Sequence, residues 1–323
     1  MNAPTLTTHR ERVRRATPAL LALGIDPDLS AVELYARLST APGGSYASML
    51  GSSHKCDLGE GRGWLTAVSY MAPEREAGIL GYTSCPFASP GCTASCIRTT
   101  GQMVYPTHGL ARIRRTARLF VFPDETMRAI NGELLQHAGK AFARQLQPCA
   151  RLNGTSDHAF WSQHLGVDRD VPLRLYDYTK RPPLPLAVAA HKSGWHLTYS
   201  LSEMPLSMEW SAAWAAHGVN TALVVAGPLG TTKRVHVQVR DELVRRGSFA
   251  GRPTLPGDNN DLRFLDPEVG GWVVLAAKGH KVKHDETGFV VRFDPDLLLG
   301  TDRPPEAALL SEVDKRRFNL KET

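Results

Sequence analysis

The chain has 323 residues, of which 42% are hydrophobic and 22% charged, enough to bury one large α/β core or two smaller ones. No apolar run approaches the roughly 20 residues of a membrane span, and the opening MNAPTLTTHRERVRR lacks the apolar core of a secretory signal. The net charge of +6 permits a nucleic-acid, nucleotide or other anionic partner without demanding one.

These features lead us to expect a protein that stays in a reducing cytoplasm, with no membrane partner. Disulfides are rare there, so clustered cysteines point to metal or redox chemistry. Heptads, short tandem repeats and low-complexity tracts are missing.

Taken in chain order, Pro18 to Ser39 predicts two short helices. The second, SAVELYARL, begins with Ser30 as N-cap and Glu33 three residues later, the pattern of a capping box. Ala41 to Gly63 has neither a helical nor a strand period and reads as an irregular loop or lid. AGILGYTS, Ala77 to Ser84, reads as a first strand. Helical periods follow at about His108–Phe120 and Asp124–Gln145. The first of these is dense in arginine, and its Arg112, Arg114, Arg115 and Arg118 read as a solvated face able to meet phosphate.

From CARLNGTSD onward, apolar runs alternate with helical stretches. LRLYDYTKR is followed by a helix at Leu184–His191, WHLTYSLSE by MEWSAAWAAHG, and TALVVAG by RVHVQVRDELVRRG. RPTLPGDNNDLRF and GWVVLAAKGHK come last. Single helices between strands imply βαβ units and a parallel sheet. The expected organisation is a helical or irregular extension over 1–78, a β/α domain over 79–300 and a tail over 301–323.

Polar residues collect at the carboxyl ends of these strands, where α/β proteins build their sites. We therefore expect Asp177, Lys180 and Glu203 as catalytic candidates, with Asp177 and Lys180 placed to trade protons or bind a polar substrate. Asn153, Asp157, Ser200, Ser202, Asp258 and Lys278 are the cofactor-binding candidates. GPLGTTK, Gly227 to Lys233, lacks the spacing of a phosphate-binding P-loop. His158, His164, His191 and His196 lack helical metal-ligand spacing and read as core or surface residues.

The segment TSCPFASPGCTASCIRTTG, Thr83 to Gly101, holds Cys85, Cys92 and Cys96 in a C-x6-C-x3-C pattern rich in Gly, Pro, Ser and Thr. Two metals suit such thiols. Zinc would need a fourth ligand from Cys56, Cys149, His54 or His108. A four-iron cluster would take three thiolates and leave one iron open to a small molecule. Cys149, in an apolar strand, reads as a buried small hydrophobe.

A three-cysteine loop after the first strand of a β/α barrel resembles that of the radical S-adenosylmethionine enzymes. Their usual spacing is C-x3-C-x2-C with an aromatic before the last cysteine, whereas Ser95 precedes Cys96 here. The resemblance implies a partly closed parallel β/α barrel, a [4Fe-4S] cluster on Cys85, Cys92 and Cys96, and S-adenosylmethionine as a ligand. A second resemblance spans about Ser39 to Phe293. The blocks CPFASPGCTASCIRTTGQ, RLNGTSD, YDYTKRP, LTYSLSE, GVNTALVV, GDNNDLRFLDP and VVLAAKG, in that order, resemble a family of phage- and plasmid-encoded gene-product domains. This implies a bacteriophage or mobile-element setting. The rival expectation is a zinc-stapled, basic nucleic-acid-binding or replication-associated protein that uses the arginine helix.

Overall fold

The computed structural model describes residues 7–52, 54–160, 172–299 and 303–318. His164 lies outside the described residues. The protein is a mixed α/β structure with nine strands among them, mostly parallel, and no described helix is long and apolar enough to cross a membrane. The chain forms two compact units: Met1–Pro86 with Gln102–Arg174, and Phe87–Gly101 with Leu175–Thr323.

The first unit is mainly helical. Its helix His9–Ala22 is capped by Thr8, whose hydroxyl accepts from the Glu11 backbone at 3.2 Å. Helix Ala31–Leu38 carries the expected capping box: Ser30 Oγ accepts from Glu33 N, and the Glu33 carboxylate accepts from Ser30 N. Leu20, Leu34, Leu38, Ile79, Ala117 and Val121 pack into one apolar core around these helices.

Helices Pro106–Val121 and Pro123–Ala143 follow the sequence reading within two residues. Phe122 ends one and starts the other because Pro123 at N1 disfavours a helical conformation at the residue before it. These helices cross over between two parallel strands, β1 (Trp64–Val68) and β2 (Gln147–Arg151), in the register Trp64↔Gln147 to Val68↔Arg151.

Two sequence expectations fail in this unit. AGILGYTS is a run of turns, not a strand, because Gly78 and Gly81 sit at φ +71° and +64°, which extended backbone cannot accommodate. The first strand is β1, so the cysteine segment does not directly follow it. The stretch taken as irregular contains a helix, His54–Glu60.

The arginine-rich helix also differs from expectation, since its arginines turn inward. Arg112 is 3% exposed and forms a two-point ion pair with Glu76 at 2.8 and 3.0 Å. Arg114 donates to Arg37 O at 2.7 Å, and Arg115 to Ser48 O at 2.8 Å and Tyr70 O at 3.2 Å. Arg118 is buried between two tyrosines. The helix staples loops of its own unit through carbonyls.

The second unit carries β3 (Arg174–Thr179), β4 (Trp195–Ser200), β5 (Thr221–Ala226), β6 (Ser248–Phe249), β7 (Arg252–Pro256), β8 (Trp272–Ala276) and β9 (Val291–Arg292). They pair in the order β3-β4-β5-β8-β7-β6, with β9 also pairing with β5. All these pairings are parallel except β6–β7, a hairpin turned by Ala250 and Gly251 at positive φ. The hairpin finishes that edge and no pairing returns from it to β3, so the hydrogen bonds leave an open ladder and do not close the expected barrel. Helices Pro185–Lys192, Ser207–Ala215 and Lys233–Arg246 provide the expected crossovers. Because β8 inserts beside β5 after β7, the strand order reverses there. In open α/β sheets, ligands bind at the carboxyl ends of strands near such a reversal.

Candidate functional site

In the second unit, the segment Phe87–Gly101 lies along the carboxyl ends of the parallel strands and is fastened at three points. Phe87 meets Trp210 edge-on at 5.9 Å and lies under the Arg181 guanidinium, just past β3, at 5.3 Å. Ser89 and Gly91 are held by Glu203, just past β4: Glu203 accepts from Ser89 Oγ at 2.7 Å and from Gly91 N at 2.6 Å. Thr100 packs against Gly279, just past β8, so closely that a Cβ there would come within 2.2 Å of the threonine methyl. Cys92 sits inside the short helix Pro90–Ala94, its N–H bound to Ser89 Oγ at 3.1 Å, and Cys96 follows the helix. Both cysteines are partly exposed.

Gly91 makes this fastening possible. A Cβ there would meet Thr287 Oγ1 at 2.1 Å, Phe289 Cβ at 2.6 Å and Glu203 Oε1 at 3.0 Å. SPG reads from sequence as a turn; that its glycine must admit a strand-end loop is set by residues nearly two hundred positions away. Thr287, Phe289 and Arg317 were likewise missed, because no local pattern marks them. Arg317 donates to Gly288 O at 2.9 Å and to Ser202 O. Burial pulls its pKa down, against the pull of the Asp314 and Glu203 charges.

The catalytic candidates have structural partners here. Glu203 caps the cysteine helix. Lys180 Nζ donates to Ser200 Oγ at 2.7 Å and to the carbonyls of Ser200 and Leu201 at 3.3 and 3.4 Å, with Phe289 beneath it at 5.0 Å. Lys180 thereby ties the end of β3 to that of β4. Asp177, 1% exposed, accepts from Trp195 Nε1 at 3.1 Å. Ser202 is buried, and its N–H donates to Ser207 Oγ at 2.9 Å.

Asp258 and Lys278 are ion-paired with each other, and Asp258 also accepts from Arg240 at 2.9 Å and Ala276 N at 2.9 Å. Burial pushes the Asp258 carboxyl up, but the Lys278 and Ala276 hydrogen bonds and the lysine charge hold it below the ordinary carboxylate value. This pair fastens the turn after β7 to β8.

In the first unit, Cys85 is partly exposed. Its sulfur accepts from Glu74 N at 3.3 Å and approaches Thr155 O at 3.8 Å. An amide pointing at a thiolate is the kind of contact that tunes a metal ligand. In the neighbouring RLNGTSD turn, Asn153 Oδ1 accepts from Ser156 Oγ at 2.9 Å and His158 N at 2.8 Å. Asp157 donates its N–H to Ser84 O at 2.9 Å, which fixes the residue before Cys85. Cys149 is fully buried with its sulfur 3.2 Å from Thr66 Oγ1, the packing role expected of it. Cys56 is also buried, and His108 is exposed.

Sequence spacing missed one further group in the second unit. Turn Ser193–Gly194 folds the end of helix Pro185–Lys192 back onto β4, so His191 Nε2 and His196 Nδ1 lie 3.7 and 3.4 Å from Glu268 Oε1. Among the described residues this is the group of three metal-competent side chains whose ligand atoms all fall within 4.8 Å. His191 Nδ1, however, accepts from Leu197 N at 3.2 Å, so Nε2 must carry the neutral ring's proton. A metal on Nε2 would need a fully deprotonated ring, and the arrangement suits a shared proton better than an ion.

No curated protein and no solved structure matches the chain. The family described as gene product 88, a phage-type family, matches residues 46–292. That span covers both units' strands and the whole cysteine segment, well over half the sequence, and the chain belongs to the gene product 88 family.

Proposed function

We propose that the protein is an iron–sulfur protein in which Cys85, Cys92 and Cys96 hold a [4Fe-4S] cluster, and that it is an enzyme of the radical S-adenosylmethionine kind. The observation that carries this reading is the fastening of the Cys92–Cys96 segment along the carboxyl ends of β3, β4 and β8, with both cysteines partly exposed. A surface loop with a purely structural role has no need of three anchors on the functional edge of a parallel sheet. The Glu74 N–H on Cys85 adds a donor suited to a ligating sulfur.

The chemistry such a cluster supplies, with three protein thiolates, is an iron open to a small molecule, for which S-adenosylmethionine is the candidate. Glu203, Ser89 and Gly91 orient the segment bearing Cys92 and Cys96, while Lys180 and Ser200 hold two strand ends in register beneath it. The finer fold reading, a partly closed barrel, belongs to this proposal and is supported by the parallel β3-β4-β5-β8 run with helical crossovers.

The rival, a zinc-stapled nucleic-acid-binding protein, has less support, because Arg112, Arg114 and Arg115 hold internal partners.

Anaerobic purification tests the proposal. It expects a brown protein with about four irons and four sulfides per chain, lost in C85A, C92A and C96A variants. A colourless protein with one zinc would establish the rival metal, and a triple variant with undiminished metal would remove the loop from either assignment.

A further inference from the structure

The first unit holds a hollow of about 490 Å³ that opens widely to solvent, lined by Tyr35, Ser39, Tyr46, Arg118, Glu125 and Arg128 among others. That volume is within the range that takes small metabolites. Arg118 lines it although its side chain is only 1% exposed. Its guanidinium lies between the rings of Tyr35 and Tyr46, at 5.0 and 5.4 Å from their centres. It donates to Tyr35 OH at 2.9 Å, to Tyr46 OH at 3.3 Å and to Ala47 O at 3.3 Å. All of these acceptors are neutral. The Glu133 carboxylate is reached only through Tyr46 OH, and it already accepts from Met49 N, Leu50 N and Ser48 Oγ.

A buried cation without a counter-ion is costly, and proteins pair such charges or supply an anion. Two further polar atoms at this cavity are also without a hydrogen-bond partner: Arg118 Nε and Ser39 Oγ. Arg128 adds a second, largely exposed cation, in loose contact with Glu125 at 3.5 Å. The cavity thus offers one buried and one exposed guanidinium, an unused N–H and an unused hydroxyl.

We propose that this cavity binds a small molecule through an oxyanion group, phosphoryl or carboxylate, that takes Arg118 as its buried counter-charge. Ser39 donates a hydrogen bond to the same group, and Arg128 closes over it from the solvent side. Planar guanidinium donors suit both groups. Glu125 accepts from a hydroxyl or amine of the ligand, so the ligand carries a donor near its anion. This site uses none of the cysteines, and its test does not involve iron.

The test uses the full chain, titrated with inorganic phosphate or sodium acetate at matched ionic strength against sodium chloride, and reads thermal stability and heat of binding. The expected result is saturable stabilisation by phosphate, acetate or both beyond that of chloride. A stronger response to phosphate assigns a phosphoryl ligand, and a stronger response to acetate a carboxylate. The R128Q and S39A variants, which change an exposed and a partly exposed side chain, should fold and bind about tenfold more weakly. R118Q should lose binding, and its folded state is checked by circular dichroism. A response no greater than that to chloride would overturn the proposal, and so would R128Q and S39A variants that bind as tightly as the parent.

Discussion

Glu203 shows how one side chain separates two roles that sequence alone runs together. A strand-end glutamate reads as a catalytic candidate, yet both of its oxygens accept hydrogen bonds from the cysteine segment. We expect E203Q to keep metal content and stability near the parent, because one oxygen remains for the Gly91 amide. E203A should lose about 1–3 kcal/mol of stability and release metal faster, as read by urea unfolding and iron retention. A large loss of activity in a fully loaded, stable E203Q would return Glu203 to the catalytic group. G91A tests the same fastening from the other side. Its methyl would collide with Thr287, Phe289 and Glu203, so the segment must shift, at a cost of about 1–3 kcal/mol. Asp314 is a residue whose environment alone makes it unusual: burial, outweighing the Arg317 charge, pushes its carboxyl up to about 6.

At the scale of elements, helix Pro106–Val121 is the clearest departure from expectation. Its arginines follow helical spacing, but the loops around it offer buried carbonyls that need donors, and each arginine supplies one. Removing a member costs most where its partner is buried. R112A should therefore destabilise the protein by about 3 kcal/mol, because Glu76 would lose its partner. R114A should cost well under 1 kcal/mol, since that arginine meets a single carbonyl at the surface. Denaturant titration of both variants checks the ordering, and equal losses would contradict it. The histidine pair has a similar cause: no period relates His191 to His196, and the two meet because a two-residue turn reverses the chain onto β4.

At the scale of the whole molecule, these buried groups set the response to acid. Burial lowers the pKa of His137, His191 and His236, so the folded state binds fewer protons there than the unfolded chain. Stability from these three is complete above the ordinary histidine value of 6.5 and is lost as pH falls through it. Asp314 works in the opposite direction. Its raised value means the folded state takes up a proton as pH falls from about 6 towards 3.8, which adds stability over that window. We expect the melting temperature to fall between pH 7 and pH 5, and to fall more steeply in D314N, which lacks the offsetting proton uptake. A D314N profile parallel to that of the parent would show that Asp314 titrates normally.

Local chemistry legible in the sequence settled much of the second unit. The alternation of apolar runs with helical periods gave β3 to β5, β7, β8 and their crossovers, because strands buried on both faces and amphipathic helices leave distinct periods. The capping box at Ser30 and the bland role of Cys149 were equally readable, since each depends on neighbours close in the chain or on simple burial. Tertiary structure alone decided the rest. Whether AGILGYTS is extended depended on two glycine φ angles, and whether the arginines faced outward depended on carbonyls contributed by remote loops. The cysteine segment's place along the strand ends follows from Glu203, Gly279, Thr287 and Phe289, brought to it by strand pairing. Composition and period carry information about what is buried nearby, but the identity of a contact between distant residues is fixed only once the sheet order is fixed.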